Sequence, residues 1–574
     1  MTASRRPGDT APTRHVVAAA LTLLVVGTVG AVQAGMAGGS FMHDLEQVQP
    51  ALARIDPVVE DPHTPRLARR VFLVIVDGLR LDRSYELPFL DELRRRGVDA
   101  EATAHYPTWS RPNYVAILTG VPPSASGVRT NHHATPVQLD ALMDRVRAAG
   151  LSAASGTDYD VLPRLFLRPR TGASRTGIEV DIDLESERDV EDPTALGAVR
   201  APDADLASPF DDARYAPWAG GFSEAGAALA AGEAELVVLL VGVVDAAGHA
   251  HGGASPEYRL AAEAADRALA RALDRVDLAQ DAILVVADHG HTDHGGHGGL
   301  EPEVVTVPLI AVGAGIDAKG APRNARLIDM APTIAALLAI PSPGHGLGRT
   351  LTEILTLDEA AATRRRSADD TRLTMTRAIV GASEVDAAID VLEHRALRLA
   401  IVALGALIAT VFAVVLIKRR VLRLDLRILV VTVPAFFIVY YALIGTLGQR
   451  FSPSLVPAQG HLASALIRYG LVATGVQLLA NLWALRTQLT LGDRLAAANG
   501  VAWVGLLLAG IPAGLTWAFF PPPFVSLPDP MWLVLIPALE VSVACAATTF
   551  ALTLGVEVVV FAARAWRRDT TIDP

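Results

Sequence analysis

Three aspartates between residues 77 and 288 follow apolar runs in a pattern that could do metal-assisted chemistry. Asp77 directly follows VFLVIV, Asp245 ends the stretch that begins ELVVLLVGVV, and Asp288 follows AILVVA. Carboxylates, together with the histidines that lie close to them, are ligands that zinc and other borderline cations accept. Two ions held side by side stabilise the attacking and leaving oxygens of a displacement at phosphorus. The pattern therefore predicts a two-metal site that acts on phosphoric esters.

The histidines near these aspartates differ in how strongly they indicate a metal. Asp245 and His249 are four residues apart, and the small residues between them let both side chains reach one ion. His289 directly follows Asp288, and the glycine after it allows a tight turn. His297 is the better ligand candidate of the glycine-rich loop DHGHTDHGGHGG. Three further histidines are equally consistent with a surface loop: His251, His291 and His294.

Ser110 is the candidate nucleophile. It lies in PTWSRPN, directly before the helix-like segment NYVAILTG. A helix N-terminus and a bound cation would both lower the pKa of its hydroxyl. A simple N-cap serine followed by Pro112 explains the same pattern, and Thr108 is a competing hydroxyl. Asn113, on the first helical turn, could donate a hydrogen bond to a phosphate oxygen.

Strands alternating with helices predict a doubly wound, mostly parallel α/β domain at residues 70–356. Uninterrupted apolar runs rich in β-branched residues are typical of strands buried on both faces. Helical segments such as 88–97 and 257–276 separate these runs. Ligands of such sheets bind beyond the carboxyl ends of the strands, where the three aspartates are expected. Residues 155–233 lack clear strand periodicity, and we interpret them as a cap or insertion over the site.

Apolar segments flank this domain and predict a membrane protein. The N-terminal run predicts an anchor at residues 1–36, followed by a linker at 37–69. After a connector at 357–396, which is amphipathic or partly disordered, an all-α transmembrane domain is predicted at 397–563, with a tail at 564–574. Its five spans are expected at roughly 398–417, 428–447, 462–484, 499–519 and 532–561.

The loop charges predict the orientation of these spans. If the N-terminal run is counted as the first span, Lys and Arg cluster after the second, fourth and last spans. The alternate loops, around Phe451–Gln459 and Pro521–Pro530, carry neither. The positive-inside rule then places both termini in the cytoplasm and the α/β domain on the extracytoplasmic side of the plasma or inner membrane. A cleaved signal peptide is the alternative reading of the first run. Arg468 and Glu540, at similar shallow depth in their spans, are expected to form an ion pair.

The composition of the 574 residues excludes several classes. The single cysteine, Cys545, lies in the last predicted span, so neither a disulfide within the chain nor a thiolate zinc site in the α/β domain is possible. The net charge of −11 argues against a nucleic-acid partner. Expected partners are therefore the lipid bilayer and a phosphodiester, pyrophosphate or lipid-linked phosphate substrate.

As an ordered set, these motifs resemble the alkaline phosphatase superfamily. The resemblance is to its type I phosphodiesterase/nucleotide pyrophosphatase branch and the related phosphoethanolamine transferases, over roughly residues 70–355. It rests on the aspartate and histidine motifs above, on PTWSRPN, and on DMAPTIAALLAIPSPGHGLGR at 329–349. The branch usually has threonine where this chain has Ser110. Sulfatases share the framework but need an arginine where Tyr114 stands, which disfavours sulfatase activity.

The resemblance implies two zinc ions and a covalent mechanism. The ligands of one ion would be Asp245, His249 and His297. The ligands of the other would be Asp77, Asp288, His289 and the Ser110 oxygen. Ser110 would attack phosphorus to give a phosphoserine, while Asn113 holds a non-bridging oxygen.

Three functions remain open at this stage. The leading one is a membrane-bound, zinc-dependent phosphodiesterase or nucleotide pyrophosphatase that acts as a hydrolase. The first alternative is a phosphoethanolamine-type phosphotransferase that acts on a lipid or glycan, and the second is an inactive, receptor-like membrane protein. A phosphomonoesterase is also consistent with the motifs. The natural substrate, the acceptor and the oligomeric state do not follow from the sequence.

Overall fold

A computed structural model describes residues 13–47, 49–159, 161–166, 212–447, 451–455 and 462–569. The chain divides into two compact units. The α/β unit comprises Glu46–Val385 and Ser452–Gly460, and the helical unit comprises Met1–Leu45, Asp386–Phe451 and His461–Pro574. Every predicted site residue lies in the α/β unit.

One seven-stranded sheet organises the α/β unit. Its strands are β1 Arg70–Val76, β2 Val98–Thr103, β3 Ala153–Thr157, β4 Leu236–Val241, β5 Asp281–Val286, β6 Thr306–Gly313 and β7 Ala325–Arg326. They lie in the order β3-β4-β1-β5-β6-β2-β7. The pairs β3–β4, β4–β1, β1–β5 and β2–β7 are parallel, whereas β6 runs antiparallel to β5 and β2. The predicted fold class, a mostly parallel α/β sheet accompanied by apolar helices, is confirmed.

The three central strands explain why the site residues meet. Every residue of β1, β4 and β5 is buried, as expected for apolar strands covered on both faces. Because these strands are parallel neighbours, their carboxyl ends lie at one edge of the sheet. The segments that leave that edge carry Asp77, Asp245 and Asp288.

Helices connect the strands and form the helical unit. They are α1 Thr13–Leu45, α2 Leu81–Ser84, α3 Pro88–Arg96, α4 Ser110–Thr119, α5 Pro123–Ser126, α6 Leu142–Ala148, α7 Val161–Phe166, α8 Asp212–Ala231, α9 Val243–His251, α10 Pro256–Leu273, α11 Pro302–Val305, α12 Met330–Leu337, α13 Glu359–Lys418, α14 Leu426–Leu447, α15 Leu462–Leu485, α16 Leu491–Phe519 and α17 Pro530–Asp569. Short 3-10 turns occur at Ala51–Arg54, Leu327–Asp329, Thr352–Ile354 and Pro453–Leu455.

Within the described ranges, six helices are long and apolar enough to cross a membrane: α1, α13, α14, α15, α16 and α17. The structure does not form the predicted Arg468–Glu540 ion pair, and Glu540 Oε2 is buried with no hydrogen-bond partner among the described residues. Glu557 of this unit instead forms an ion pair with Arg494, with Nε–Oε2 at 3.0 Å. Spacing along each helix gives depth but not rotation about the helix axis, which is why the predicted pair was wrong.

The structure describes parts of two regions that the sequence predicted as a connector and a cap. The connector, predicted at 357–396 as amphipathic or partly disordered, is helical from Glu359 onward within α13, where Arg365 and Arg372 are buried in the α/β unit. The predicted cap at 155–233 begins in β3 and ends in α8, which packs against α10. The rest of that prediction falls mostly at 167–211, outside the described residues.

Candidate metal centre

The ends of β1 and β5 bring two carboxylates together. The Gly78 amide donates to Asp288 Oδ1 at 3.1 Å, which ties the two strand ends to each other. Asp77 Oδ1 and Asp288 Oδ2 are buried and have no hydrogen-bond partner in the described part of the chain. His289 Nε2 lies 3.4 Å from Asp77 Oδ1 and 3.3 Å from Asp288 Oδ2. Ligand atoms of these three residues lie within 4.8 Å of one another, so they could hold one cation.

Ser110 joins this group from the first position of α4. Its hydroxyl lies 3.2 Å from His289 Nε2, and the side chain is buried. The competing hydroxyl of Thr108 is used structurally, because it donates to the Gly299 carbonyl at 2.9 Å and accepts from the Gly298 amide at 2.8 Å. The geometry therefore favours Ser110 over Thr108 as the hydroxyl next to the metal ligands.

The second group forms around Asp245. A short helix, α9, begins directly after β4 at Val243, so Asp245 and His249 lie one helical turn apart on one face. His249 Nε2 is 3.4 Å from Asp245 Oδ1 and 3.0 Å from His297 Nε2. His297 Nε2 is 3.6 Å from the same carboxylate oxygen. The strand predicted to continue to residue 244 ends at Val241, and this helical turn brings the two side chains together.

The hydrogen bonds of two histidines leave the unprotonated nitrogen of each ring on the side of the site. His297 Nδ1 lies 2.7 Å from the Thr108 carbonyl, and His289 Nδ1 lies 3.1 Å from the Gly290 carbonyl. A carbonyl oxygen accepts only, so each Nδ1 must carry the proton. Each Nε2 is then the unprotonated nitrogen that a metal ion binds.

His291, which the sequence left as a surface histidine, is fully buried beside Asp245. The Gly296 amide donates to His291 Nδ1 at 3.2 Å, so the proton of this imidazole is on Nε2. That nitrogen lies 2.8 Å from Asp245 Oδ1 and donates to it. His291 could itself join a metal cluster with Asp245, His289 and His297, whose ligand atoms lie within 4.8 Å of one another. Its hydrogen bonds favour a role in orienting Asp245.

Burial and mutual repulsion shift the pKa values of the carboxyls. Burial raises the pKa of Asp77 well above its ordinary value, and Asp288 and Asp245 raise it further. Burial, and after it Asp245, raise the pKa of Asp288 to about 8. Burial alone would raise the pKa of Asp245 as well, but the nearby histidines, His249 first, lower it well below its usual range. A bound cation would favour the ionised form of all three carboxylates.

The residues fit a metal ion by their chemistry. Two carboxylate oxygens are buried without partners at the ends of β1 and β5. Burial lowers the pKa of His289 to about 3, and it also lowers the pKa values of His249 and His297. These imidazoles are therefore neutral at pH 7, which is the form that binds metals. Carboxylate oxygens beside neutral imidazoles form a donor set that suits zinc.

Tight packing holds the two groups close together. Gly78 has a φ of 72°, and a Cβ there would lie 2.9 Å from the Asp245 Cα and 3.0 Å from the His291 ring. Only glycine fits this junction between β1 and α9. Tyr114, fully buried on α4, donates a hydrogen bond to Asp77 Oδ2. Tyr258 donates to the Gly78 carbonyl at 2.6 Å.

Two asparagines, Asn113 and Asn131, lie near Ser110, and only Asn113 was singled out from the sequence. All polar atoms of the Asn113 side chain are engaged by the backbone of residues 105–109, including its Oδ1, which accepts from His105 N at 2.8 Å. Its predicted contact with phosphate remains a prediction. Asn131 accepts from the Arg111 amide at 3.0 Å, next to Ser110, and its Nδ2 is buried without a partner. No local sequence signal separates Asn131 from an ordinary loop residue.

Comparison with known proteins shows similarity over part of the chain. Residues 71–301 match the family model described as type I phosphodiesterase / nucleotide pyrophosphatase. GPI ethanolamine phosphate transferase 1 of Mus musculus is 26% identical over 320 residues, which covers 50% of this chain and 32% of that protein. The protein of the same name from Yarrowia lipolytica is 29% identical over 275 residues, which covers 44% of this chain and 27% of that protein. These matches span less than a third of the curated relatives.

Solved structures with a similar fold include two phosphoester enzymes. A wild-type alkaline phosphatase is 14% identical with a TM-score of 0.36, covering 51% of this chain and 99% of that one. Murine ectonucleotide pyrophosphatase/phosphodiesterase 5 is 13% identical with a TM-score of 0.34, and the match covers 47% of this chain and 95% of that one. Residues 71–301 are thus similar to the type I phosphodiesterase/nucleotide pyrophosphatase family, in agreement with the resemblance predicted from the motifs.

Proposed function

We propose that this chain is a membrane-bound, metal-dependent enzyme that transfers a substituted phosphoryl group through Ser110. One observation carries the proposal. The Ser110 hydroxyl lies 3.2 Å from His289 Nε2, and that nitrogen lies within 3.4 Å of two buried carboxylates. A hydroxyl held against a cluster of this charge is activated by the cation that the cluster binds.

Two zinc ions are the metals that suit this donor set. Asp245, His249 and His297 would hold one ion, and Asp77, Asp288 and His289 would hold the other, together with the Ser110 oxygen. When bound, the ions lower the pKa of hydroxyls and balance the negative charge that develops on phosphate oxygens. Neighbouring groups orient these ligands. Tyr114 bonds to Asp77, His291 bonds to Asp245, and the Thr108 carbonyl bonds to His297.

The reaction has two balanced halves. Ser110 Oγ forms a bond to phosphorus while the ester bond to the donor's alcohol oxygen breaks. The serine proton passes to water, and the departing alkoxide takes up a proton. In the second half an acceptor oxygen bonds to phosphorus and loses its proton as the Oγ–phosphorus bond breaks and Ser110 is protonated again. The Asn131 amide, fixed beside Ser110, supplies a donor for a non-bridging oxygen, a role that Asn113 would have to leave the backbone to fill.

In the second half of the reaction, transfer of the phosphoryl group to an alcohol is favoured over its transfer to water. The curated relatives that match 44% to 50% of this chain are GPI ethanolamine phosphate transferases. Six helices able to span a membrane exceed what an anchor needs, and they suit a lipid donor and a lipid or glycan acceptor. The transferred group would be a phosphoethanolamine-type headgroup. The α/β unit would face the extracytoplasmic side, as the loop charges predict.

Hydrolysis is the second candidate because the matching family model describes phosphodiesterases and nucleotide pyrophosphatases. The two functions share the covalent half and differ only in whether water or an alcohol accepts the phosphoryl group. An inactive, receptor-like protein is disfavoured, because nothing would retain two orphaned buried carboxylate oxygens beside a serine.

The test uses full-length protein in detergent with zinc and phosphatidylethanolamine labelled in its headgroup. Glycerol and an alkyl glucoside serve as acceptor alcohols. The proposal predicts label on the alcohol in excess of free ethanolamine phosphate, and loss of both products by at least about 10³-fold in Ser110→Ala. Ser223→Ala is the matched control, because this buried serine bonds only within α8 and α10.

The outcomes separate the candidates. Free ethanolamine phosphate as the main product at saturating acceptor would support the hydrolase. Turnover that survives Ser110→Ala would remove the covalent mechanism altogether. Absence of turnover by wild-type protein with bound zinc would contradict both enzymatic proposals for this donor class.

A further inference from the structure

A short segment between two candidate membrane helices belongs to the α/β unit. Residues Ser452–Leu455 lie in sequence between α14 and α15, and the 3-10 turn Pro453–Leu455 forms most of the segment. In space the described residues Ser452–Leu455 group with the α/β unit and not with the helices on either side. The segment lies far in sequence from residues 71–301, which match the family.

Ser454 bonds directly to the loop that carries His297. Its hydroxyl accepts from the Gly299 amide at 2.7 Å and donates to Glu301 Oε2 at 2.6 Å. Ser454 is fully buried, so water cannot replace either bond without a rearrangement. The hydroxyl thus satisfies one backbone donor and one carboxylate within four residues of a candidate metal ligand.

Gly298 and Gly299, the two residues after His297, pack closely against the segment Ser452–Leu455. A Cβ on Gly299 would lie 2.2 Å from the Ser452 hydroxyl and 2.7 Å from that of Ser454. A Cβ on Gly298 would lie 3.1 Å from Pro453 and 2.4 Å from the indole nitrogen of Trp109. The segment therefore packs against the glycine backbone as closely as atoms can approach.

The same loop is held from its other side by Thr108. The Thr108 hydroxyl bonds to Gly298 and Gly299, and its carbonyl fixes the Nδ1 proton of His297 at 2.7 Å. Gly298 and Gly299 are thus clamped between Thr108 and Ser454. If one side of the clamp is released, the loop can move and His297 can turn away from Asp245.

We propose that Ser454 is a positioning residue for the metal centre, acting through Gly299 on His297. The inference rests on the proposed function in taking His297 as a metal ligand. It adds that the site is completed by a segment from the membrane-spanning part of the sequence. An α/β fragment that stops before residue 452 would lack one side of the clamp.

The test measures zinc affinity of the full-length protein in detergent by competition with a chromophoric chelator, without substrate. Loss of a residue that orients a ligand typically costs about 10- to 100-fold in metal affinity. We expect a loss of that size at one of two sites in Ser454→Ala, and unchanged affinity in Ser223→Ala. Thermal unfolding of the metal-free variants shows whether each retains the wild-type fold.

A second variant perturbs the same contact from the opposite side. Gly299→Ala leaves Ser454 in place but puts a methyl group where the two serine hydroxyls lie. If both changes act through one contact, the double variant loses no more zinc affinity than the worse single variant. The Gly299 variant also keeps the proposal testable if Ser454→Ala fails to fold.

Zinc affinity within twofold of wild type in folded Ser454→Ala or Gly299→Ala would overturn the proposal. So would losses that multiply in the double variant, because they indicate independent effects. A wild-type protein that binds zinc but does not turn over would remove the proposed function and leave this inference standing. A wild-type protein that binds no zinc would overturn both.

Discussion

Replacing Asp288 with asparagine should stabilise the metal-free protein while reducing its response to zinc. Asp288 is completely buried, and its Oδ2 has no partner among the described residues. Burial and the nearby Asp245 raise its pKa from 3.8 to about 8. A carboxyl whose pKa is raised by folding binds more protons when folded, so its contribution to stability is lost as the pH rises from 3.8 to about 8.

The size of the effect follows from the pKa shift. A pKa shift of one unit corresponds to about 1.4 kcal/mol. The pKa of this carboxyl in the unfolded chain lies about three units below pH 7. At pH 7 this carboxyl thus destabilises the metal-free wild type by at most about 4 kcal/mol, and asparagine removes that destabilisation. Asparagine can still accept from Gly78 through its oxygen, and its amide can donate to the orphaned Asp77 Oδ1.

The assay is thermal unfolding of full-length protein in detergent, with EDTA or with excess zinc. In EDTA at pH 7, Asp288→Asn should raise the unfolding temperature by several degrees and flatten its dependence on pH between 4 and 8. Added zinc should raise the unfolding temperature of wild type by clearly more than that of the variant, which retains only the site of Asp245, His249 and His297.

A matched control is Asp266→Asn. Asp266 is also a buried carboxyl with a raised pKa, but it accepts from the Phe89 and Leu90 amides at the start of α3. This variant should keep the zinc-induced rise. The reasoning is refuted if Asp288→Asn lowers the unfolding temperature in EDTA, or if zinc stabilises that variant as much as wild type.

Three further predictions concern the site and the fold around it. Tyr114→Phe removes a hydroxyl that donates to Asp77, so zinc affinity should fall about 10- to 100-fold in chelator competition. Because the metal-free Asp288 carboxyl is protonated below pH 8, zinc binding should release at least one proton, and affinity should rise at least about tenfold per pH unit in titration calorimetry. Asp281→Asn leaves Arg70 without its buried partner at 2.7 Å and should cost about 3–5 kcal/mol in unfolding experiments, with zinc affinity unchanged.

The sequence predicted the parts of the site that depend on strand order. Asp77, Asp245 and Asp288 each follow a run of buried apolar residues, and parallel strands bring such positions to one edge. The fold class and the family followed from the same runs and motifs. These features can be predicted from the sequence because a strand buried on both faces needs a continuous apolar sequence.

Features that depend on contacts between residues distant in sequence could not be predicted from the sequence. The run after β4 is apolar enough to continue the strand, yet it turns into α9, which gives Asp245 and His249 their spacing. His291 is buried because the loop folds against Gly248, whose Cβ position would lie 2.4 Å from its ring. Ser454 is more than 150 residues from Gly299, and no local pattern marks their contact.

The most direct test of the central claim is a search for a covalent adduct on Ser110. Full-length protein with zinc would be mixed with headgroup-labelled phosphatidylethanolamine, quenched in acid within the first turnover, digested and analysed by mass spectrometry. The account predicts a phosphoethanolamine adduct on Ser110 alone, absent after treatment with EDTA. Turnover without an adduct on Ser110, or an adduct on Thr108 in its place, would contradict it.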